Sequence, residues 1–170
     1  SVPRTLEVLT TDALVEGVHF DRRFVPADCI GYRALAVNLS DLAAMGARPR
    51  AALLSLVLPA TLDVLDLDQM IGGMVALADE QRIAIVGGNI TRSTGPLIID
   101  VTVTGSVKRR RVLTRAGARV GDELYVTGTI GDATVGLASL RGTAGSSVRP
   151  THAETRYLRP APRGRVGVLL

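Results

Sequence analysis

Residues 34–45 read Ala-Leu-Ala-Val-Asn-Leu-Ser-Asp-Leu-Ala-Ala-Met, apolar on nearly every side of the helix they spell. Such a helix needs neighbours all round it, so the chain must build further layers against it. Pro26-Ala27-Asp28 opens the helix and Gly46 ends it. Three polar side chains, Asn38, Ser40 and Asp41, interrupt the apolar surround. A buried carboxylate is costly unless it is hydrogen-bonded, paired or set against a metal. Two readings stand side by side. Asp41 bonds a neighbouring backbone group, or it is aimed at a cation with Asn38 one turn away on the same face.

The rest of the chain supplies the layers. Residues 5–11 alternate, Leu6 and Val8 on one face and Glu7 on the other, and predict a strand. Residues 12–25 are less regular. Residues 53–58 form a short apolar strand stopped by Pro59. Residues 63–80 predict a second helix, with Leu67, Met70, Ile71, Met74 and Leu77 at helical spacing and Asp63 and Asp66 at its positive end. A short strand over 83–86 runs into Gly87-Gly88-Asn89, and a longer one covers 97–107. Beyond the arginine-rich loop at 108–111, residues 123–127 predict a strand and 131–140 a helix. A loop at 142–147 and a partly helical tail with Arg159-Pro160-Ala161-Pro162-Arg163 follow. The order β-α-β-α-β-β, then a fresh β-α start, predicts an α/β (α+β) fold with a mixed sheet and flanking helices. The expected division is a first domain over 1–111 and the beginning of a second, incomplete one over 112–170.

Composition excludes several classes of function. In 170 residues the chain has no Trp, three Tyr and two Phe, so base-stacking platforms are nearly absent despite a net charge of +4. A phosphate-bearing small molecule suits the excess arginine better than a nucleic acid. No apolar run reaches the length of a membrane span. Cys29 is the one cysteine and reads as a small core residue, with a cytoplasmic location the expectation.

Oxygen ligands are the chemistry most visible in the sequence. Thr10-Thr11-Asp12 at a strand end offers two hydroxyls and a carboxylate, hard donors suited to Mg²⁺, although a turn or cap uses the same residues. Gly87-Gly88 after a strand lets backbone come close to a ligand, and equally makes a plain turn. Neither GxxxxGK[ST] nor GxGxxG occurs, and His19 and His152 lack metal-ligand spacing.

Several blocks together resemble the thiamine-monophosphate kinases. They are Thr10-Thr11-Asp12 through His19-Phe20, Ala34 through Asn38 and Asp41 to Gly46-Ala47, and Gly87-Gly88-Asn89-Ile90-Thr91-Arg92-Ser93. Leu113-Thr114-Arg115 with Gly117 and Gly121-Asp122, Tyr125-Val126-Thr127-Gly128 with Gly131-Asp132, and Arg159 to Arg163 complete a collinear set over nearly the whole chain. The parent superfamily also holds aminoimidazole-ribonucleotide synthetase and selenophosphate synthetase. The resemblance implies ATP- and Mg²⁺-dependent phosphorylation of thiamine monophosphate to thiamine diphosphate by a homodimer, with no nucleic acid or membrane involved. Carried over by position, Thr10, Thr11, Asp12, Asp41 and Asn89 fall on metal-binding places. Gly88, Asn89 and Arg115 fall on ATP-binding places, and His19 on a substrate contact. Two departures stand out. The family's Gly-Gly-Asp is Gly87-Gly88-Asn89 here, and much of the second domain is missing, so this fragment is expected to be incomplete as a catalyst. The alternatives are a relative acting on a different phosphate acceptor, or a catalytically dead nucleotide-binding and dimerisation module.

Overall fold

The computed structural model describes residues 4–142 and 149–170. Four strands form one sheet: β1 (Thr5–Val15), β2 (Arg48–Pro59), β3 (Ala84–Ser93) and β4 (Ile98–Lys108), in the spatial order β1-β4-β2-β3. β4 runs antiparallel to both β1 and β2, and β2 is parallel to β3. That parallel pair needs a crossover, which α2 (Val64–Gln81) supplies. With α1 (Ala27–Ala44), it makes a mixed α/β fold.

The strands alternate as half-buried strands should. Ile99, Val101, Val103 and Val107 of β4 point into the core with Ala52 and Leu56 of β2. Helix α1 lies against that face and buries Leu35, Leu39 and Leu42. The opposite face of the sheet is open, with Leu9 and Leu53 exposed.

The two long helices meet backbone to backbone. A Cβ at Gly31 of α1 would lie 1.7 Å from the Met70 carbonyl oxygen of α2, and one at Gly73 of α2 would lie 1.9 Å from that of Asp28. Each helix therefore carries a glycine where its neighbour crosses, and no side chain fits at either point. Asp63 caps α2 by accepting from the Leu65 N–H at 3.1 Å. Gly46 follows α1 at φ +67°, a backbone conformation that glycine takes without strain.

Past β4 the chain makes one 3₁₀ turn (Arg109–Arg111) and continues into three short helices, of which the first packs on the second and the second and third pack back on α1. These are α3 (Asp132–Gly142), α4 (His152–Leu158) and α5 (Gly164–Leu169). Glu154 joins two of them: it accepts from the Thr151 N–H within the α4 capping box and from the Ser139 hydroxyl of α3, each at 2.7 Å. The Arg159 guanidinium pairs with Asp28 and lies 5.0 Å over the Tyr32 ring, fixing the tail to α1.

Three sequence expectations need correction. β1 does not stop at Thr11 but continues to Val15, because residues 12–15 find partners in β4 from Val101 back to Ile98. β2 starts at Arg48 and β3 runs on through Gly87-Gly88-Asn89 to Ser93, each extended by its paired neighbours. Residues 123–127 form no strand. Among the described residues no strand lies beside them, and Leu124, Tyr125 and Val126 stay exposed with their ladder groups unpaired. From residue 143 the expected 142–147 loop lies outside the described residues, while Gly142 closes α3.

Candidate functional site

Because side chains alternate along β1, Thr10 and Asp12 point to the helix-covered face and Thr11 to the open one. Thr10 reaches α1, its hydroxyl donating to Asp41 Oδ2 at 3.1 Å. Thr11 reaches β4, donating to Asp100 Oδ1 at 3.0 Å, with the Thr102 hydroxyl also 3.0 Å away. Burial pushes the Asp12 carboxyl above the ordinary carboxylate range, and the negative charges of Asp41 and Asp100 push it further. The nearby His19 acts in the opposite direction. Such a group gains from a cation.

The donor set suits a hard divalent ion. Among the described residues no three His, Cys, Asp or Glu side chains come together as a metal cage. Thr10, Asp12 and Asp41 instead offer a hydroxyl and two carboxylates. Mg²⁺ binds in this way, completing its shell with water and substrate phosphates.

His19 stands in a turn that its own chain braces. The Gly17 N–H donates to the Phe20 carbonyl at 2.8 Å and the His19 N–H to that of Val15 at 2.9 Å. The Val15 N–H donates back to His19 Nδ1 at 3.1 Å, which leaves Nε2 as the ring's free donor position. His19 lines a cavity of about 670 Å³ between this turn and helices α1, α3 and α4.

The other residues singled out from the sequence are placed differently. Asp41 is exposed, not buried in the apolar surround, and like the neighbouring exposed Ser40 lies on the part of α1 that the core does not cover. Asn38 is fully buried and bonds its own helix, Nδ2 donating to the Ala34 carbonyl at 3.1 Å, so it does not join Asp41. Asn89 lies on β3, at the opposite edge of the sheet from β1. Three strand spacings separate it from the Thr10–Asp12 cluster, about 14 Å. It shares a cross-strand row with Ser55 and Asp100 on the open face. Gly88 is required by the sheet itself, since a Cβ there would lie 1.7 Å from the Leu54 carbonyl oxygen. Arg115 is exposed in the irregular stretch after β4.

Asp100 was missed by sequence reasoning. Its signal is a lone acid in Leu97-Ile98-Ile99-Asp100-Val101, visible as a break in an apolar strand but silent about its neighbours.

Comparison with known proteins places this geometry in context. The family described as AIR synthase related protein, N-terminal domain, matches residues 3–107. The thiamine-monophosphate kinase of Escherichia coli (strain K12) is 43% identical over 157 residues, covering 91% of this chain and 47% of the relative. That of Bacillus subtilis (strain 168) is 36% identical over 166 residues, covering 96% and 51%. The solved structure of AaThiL complexed with AMPPCP and TMP superimposes with a TM-score of 0.89 at 35% identity, over 98% of this chain and 53% of that one. The chain thus spans about half the length of the curated relatives it matches.

Proposed function

The chain belongs to the AIR synthase-related family and resembles its thiamine-monophosphate kinases, and from that premise we propose that it is the N-terminal part of such a kinase. The reaction is transfer of the γ-phosphoryl group of ATP to the phosphate of thiamine monophosphate, with ADP leaving and thiamine diphosphate formed. The observation that carries this reading is the Thr10–Asp41 contact with Asp12 on the same face of β1, an oxygen-rich cluster whose Asp12 carboxyl feels the charges of Asp41 and of His19, the latter lining the cavity. The superimposable structure complexed with AMPPCP and TMP supports the choice of co-substrates.

The acceptor's second pKa of about 6 leaves its phosphate largely ionised at neutral pH, so no general base is needed. Bringing two polyanions together is the difficulty. Bound Mg²⁺ would offset the negative charge of the phosphate oxygens. Thr10, Asp12 and Asp41 would hold it, with Thr11 ordering the neighbouring Asp100. His19, fixed through Nδ1, presents Nε2–H to the substrate. Gly88, Asn89 and Arg115 lie at the positions assigned to ATP. In this reading residues 1–111 form the metal-binding and dimerising domain, and residues 112–170 begin a second domain whose exposed 123–127 segment pairs elsewhere.

The neutral side chain of Asn89 favours one other reading, a nucleotide-binding module without turnover. Thiamine diphosphate formation separates the two, assayed with Mg²⁺-ATP and thiamine monophosphate on this chain and on a product extended to its relatives' length. Turnover by the longer product is expected. A folded longer product that binds AMPPCP and makes no thiamine diphosphate would overturn the kinase reading.

A further inference from the structure

The cavity beside His19 is lined by two arginines, Arg33 and Arg141, that form no ion pair among the described residues. Arg33 projects from α1 and stacks its guanidinium 4.4 Å over the ring of Tyr157 in α4. Its Nη1 is buried and has no hydrogen-bond partner. Arg141, exposed in the last turn of α3, lines the same cavity and likewise makes no hydrogen bond or ion pair among the described residues. The acid that lines this cavity is already bonded to Arg23. Asp21 accepts from Arg23 Nε and Nη2 at 2.6 to 3.0 Å, and these bonds lower its pKa to about 2 while Arg141 contributes from farther off. Arg22, on the same turn, is taken by Glu16 at 2.7 Å. With one carboxylate, Asp21, facing Arg23, Arg33 and Arg141, the cavity wall carries an excess of positive charge, with His19 beside it.

Arg33 lines this cavity with a guanidinium that has no hydrogen-bond partner, and an acceptor arriving there would relieve the cost of leaving its N–H groups unpaired. The ring stack holds the guanidinium plane in place, so little freedom is lost when an anion arrives. A planar guanidinium fork matches the oxygens of a phosphate monoester. At about 670 Å³ the space admits a ligand of that kind with a heterocycle attached.

We propose that Arg33 and Arg141 form an anion-recognising site in this cavity and bind the phosphate group of the acceptor substrate. Anion binding stands on the geometry alone, and naming the acceptor rests on the kinase reading. The stack on Tyr157 makes Arg33 the specific element, and Arg141 adds charge at the mouth.

The test is titration of the chain with inorganic phosphate at low ionic strength, followed by calorimetry and ³¹P line broadening. Arg33→Met keeps much of the stem and should weaken phosphate binding about tenfold, the usual weight of a charge-assisted bond. Arg141→Gln, at an exposed position that does not endanger folding, should weaken it several-fold, and Arg110→Gln, on the distant 3₁₀ turn, should not. Thiamine monophosphate should displace phosphate more effectively than AMPPCP does. Equal binding by Arg33→Met, Arg141→Gln and wild type overturns the site, as does preferential displacement by AMPPCP. The kinase reading fails separately. Arginine-dependent phosphate binding in a protein whose extended form makes no thiamine diphosphate upholds the anion site and removes the kinase. A working kinase whose phosphate binding ignores both arginines does the reverse.

Discussion

The Thr10 hydroxyl donates to Asp41 Oδ2 across 3.1 Å, tying the middle of β1 to the last turns of α1. The two residues are 31 positions apart in the chain, and their contact fixes where one carboxylate stands relative to Asp12. The charges of Asp41 and Asp100 add to burial in raising the pKa of Asp12.

Asp12→Asn should stabilise the metal-free protein at neutral pH. The folded-state pKa of Asp12 is raised above 3.8, chiefly by burial, so its charged form costs stability above that pKa. The cost falls away on acidification through the raised pKa, and the variant's advantage should shrink with it. The same variant should lose the stabilisation that added Mg²⁺ gives the wild type. Melting temperatures with and without Mg²⁺, at neutral and mildly acidic pH, check both expectations.

Asn89→Asp restores a charge at the position where the resembling family carries one. It should increase Mg²⁺ affinity in the presence of AMPPCP. A carboxylate in place of a neutral amide oxygen changes such a contact by about 1 kcal/mol or more. Indistinguishable Mg²⁺ titrations for the two proteins would remove Asn89 from the metal-binding set.

Gly31→Ala should be among the most damaging single-methyl additions in the protein. Its Cβ would lie 1.7 Å from the Met70 carbonyl oxygen, so α1 and α2 must separate. Overpacking of this kind costs about 1–3 kcal/mol, and more where backbone has to move. Alanine at Gly72, where a Cβ meets nothing within 4 Å, is the control and should be neutral or mildly stabilising. Urea midpoints of the two variants measure the difference.

Acid sensitivity should include a contribution from the Asp21–Arg23 pair. The Asp21 pKa falls from 3.8 to about 2, through its hydrogen bonds with the Arg23 side chain and backbone. A depressed carboxylate pKa means stability present above about pH 4, lost as the pH falls through about 2. The stability difference between wild type and Asp21→Asn should accordingly narrow between those two values. A difference independent of pH across that interval would contradict the assignment.

Both long helices are legible from local pattern. The predicted span 63–80 is observed as Val64–Gln81 with Asp63 as its cap, and the Gly46 stop of α1 falls where it was placed. Helical hydrogen bonds join residues four apart, so the sequence nearby contains what decides them. Strand limits are different. β1 reaches Val15 only because Ile98 lies opposite, and 123–127 fails to become a strand because nothing in the described chain lies beside it.

The candidate site divides along the same line. The chemical character of Thr10, Asp12 and Asp41 could be read from residue type, and the resemblance to the family needed no coordinates. Which oxygens meet could not. The Thr10–Asp41 contact, the entry of Asp100 through Thr11 and the inward turn of Asn38 all follow from the strand order β1-β4-β2-β3 and from the roll of α1 on the sheet. The unpaired guanidinium of Arg33 over Tyr157 joins residues from α1 and α4. Local composition determined the elements and the donors they carry. Long-range packing alone decided which donors share a cleft, because burial and strand pairing are settled between segments far apart in the chain.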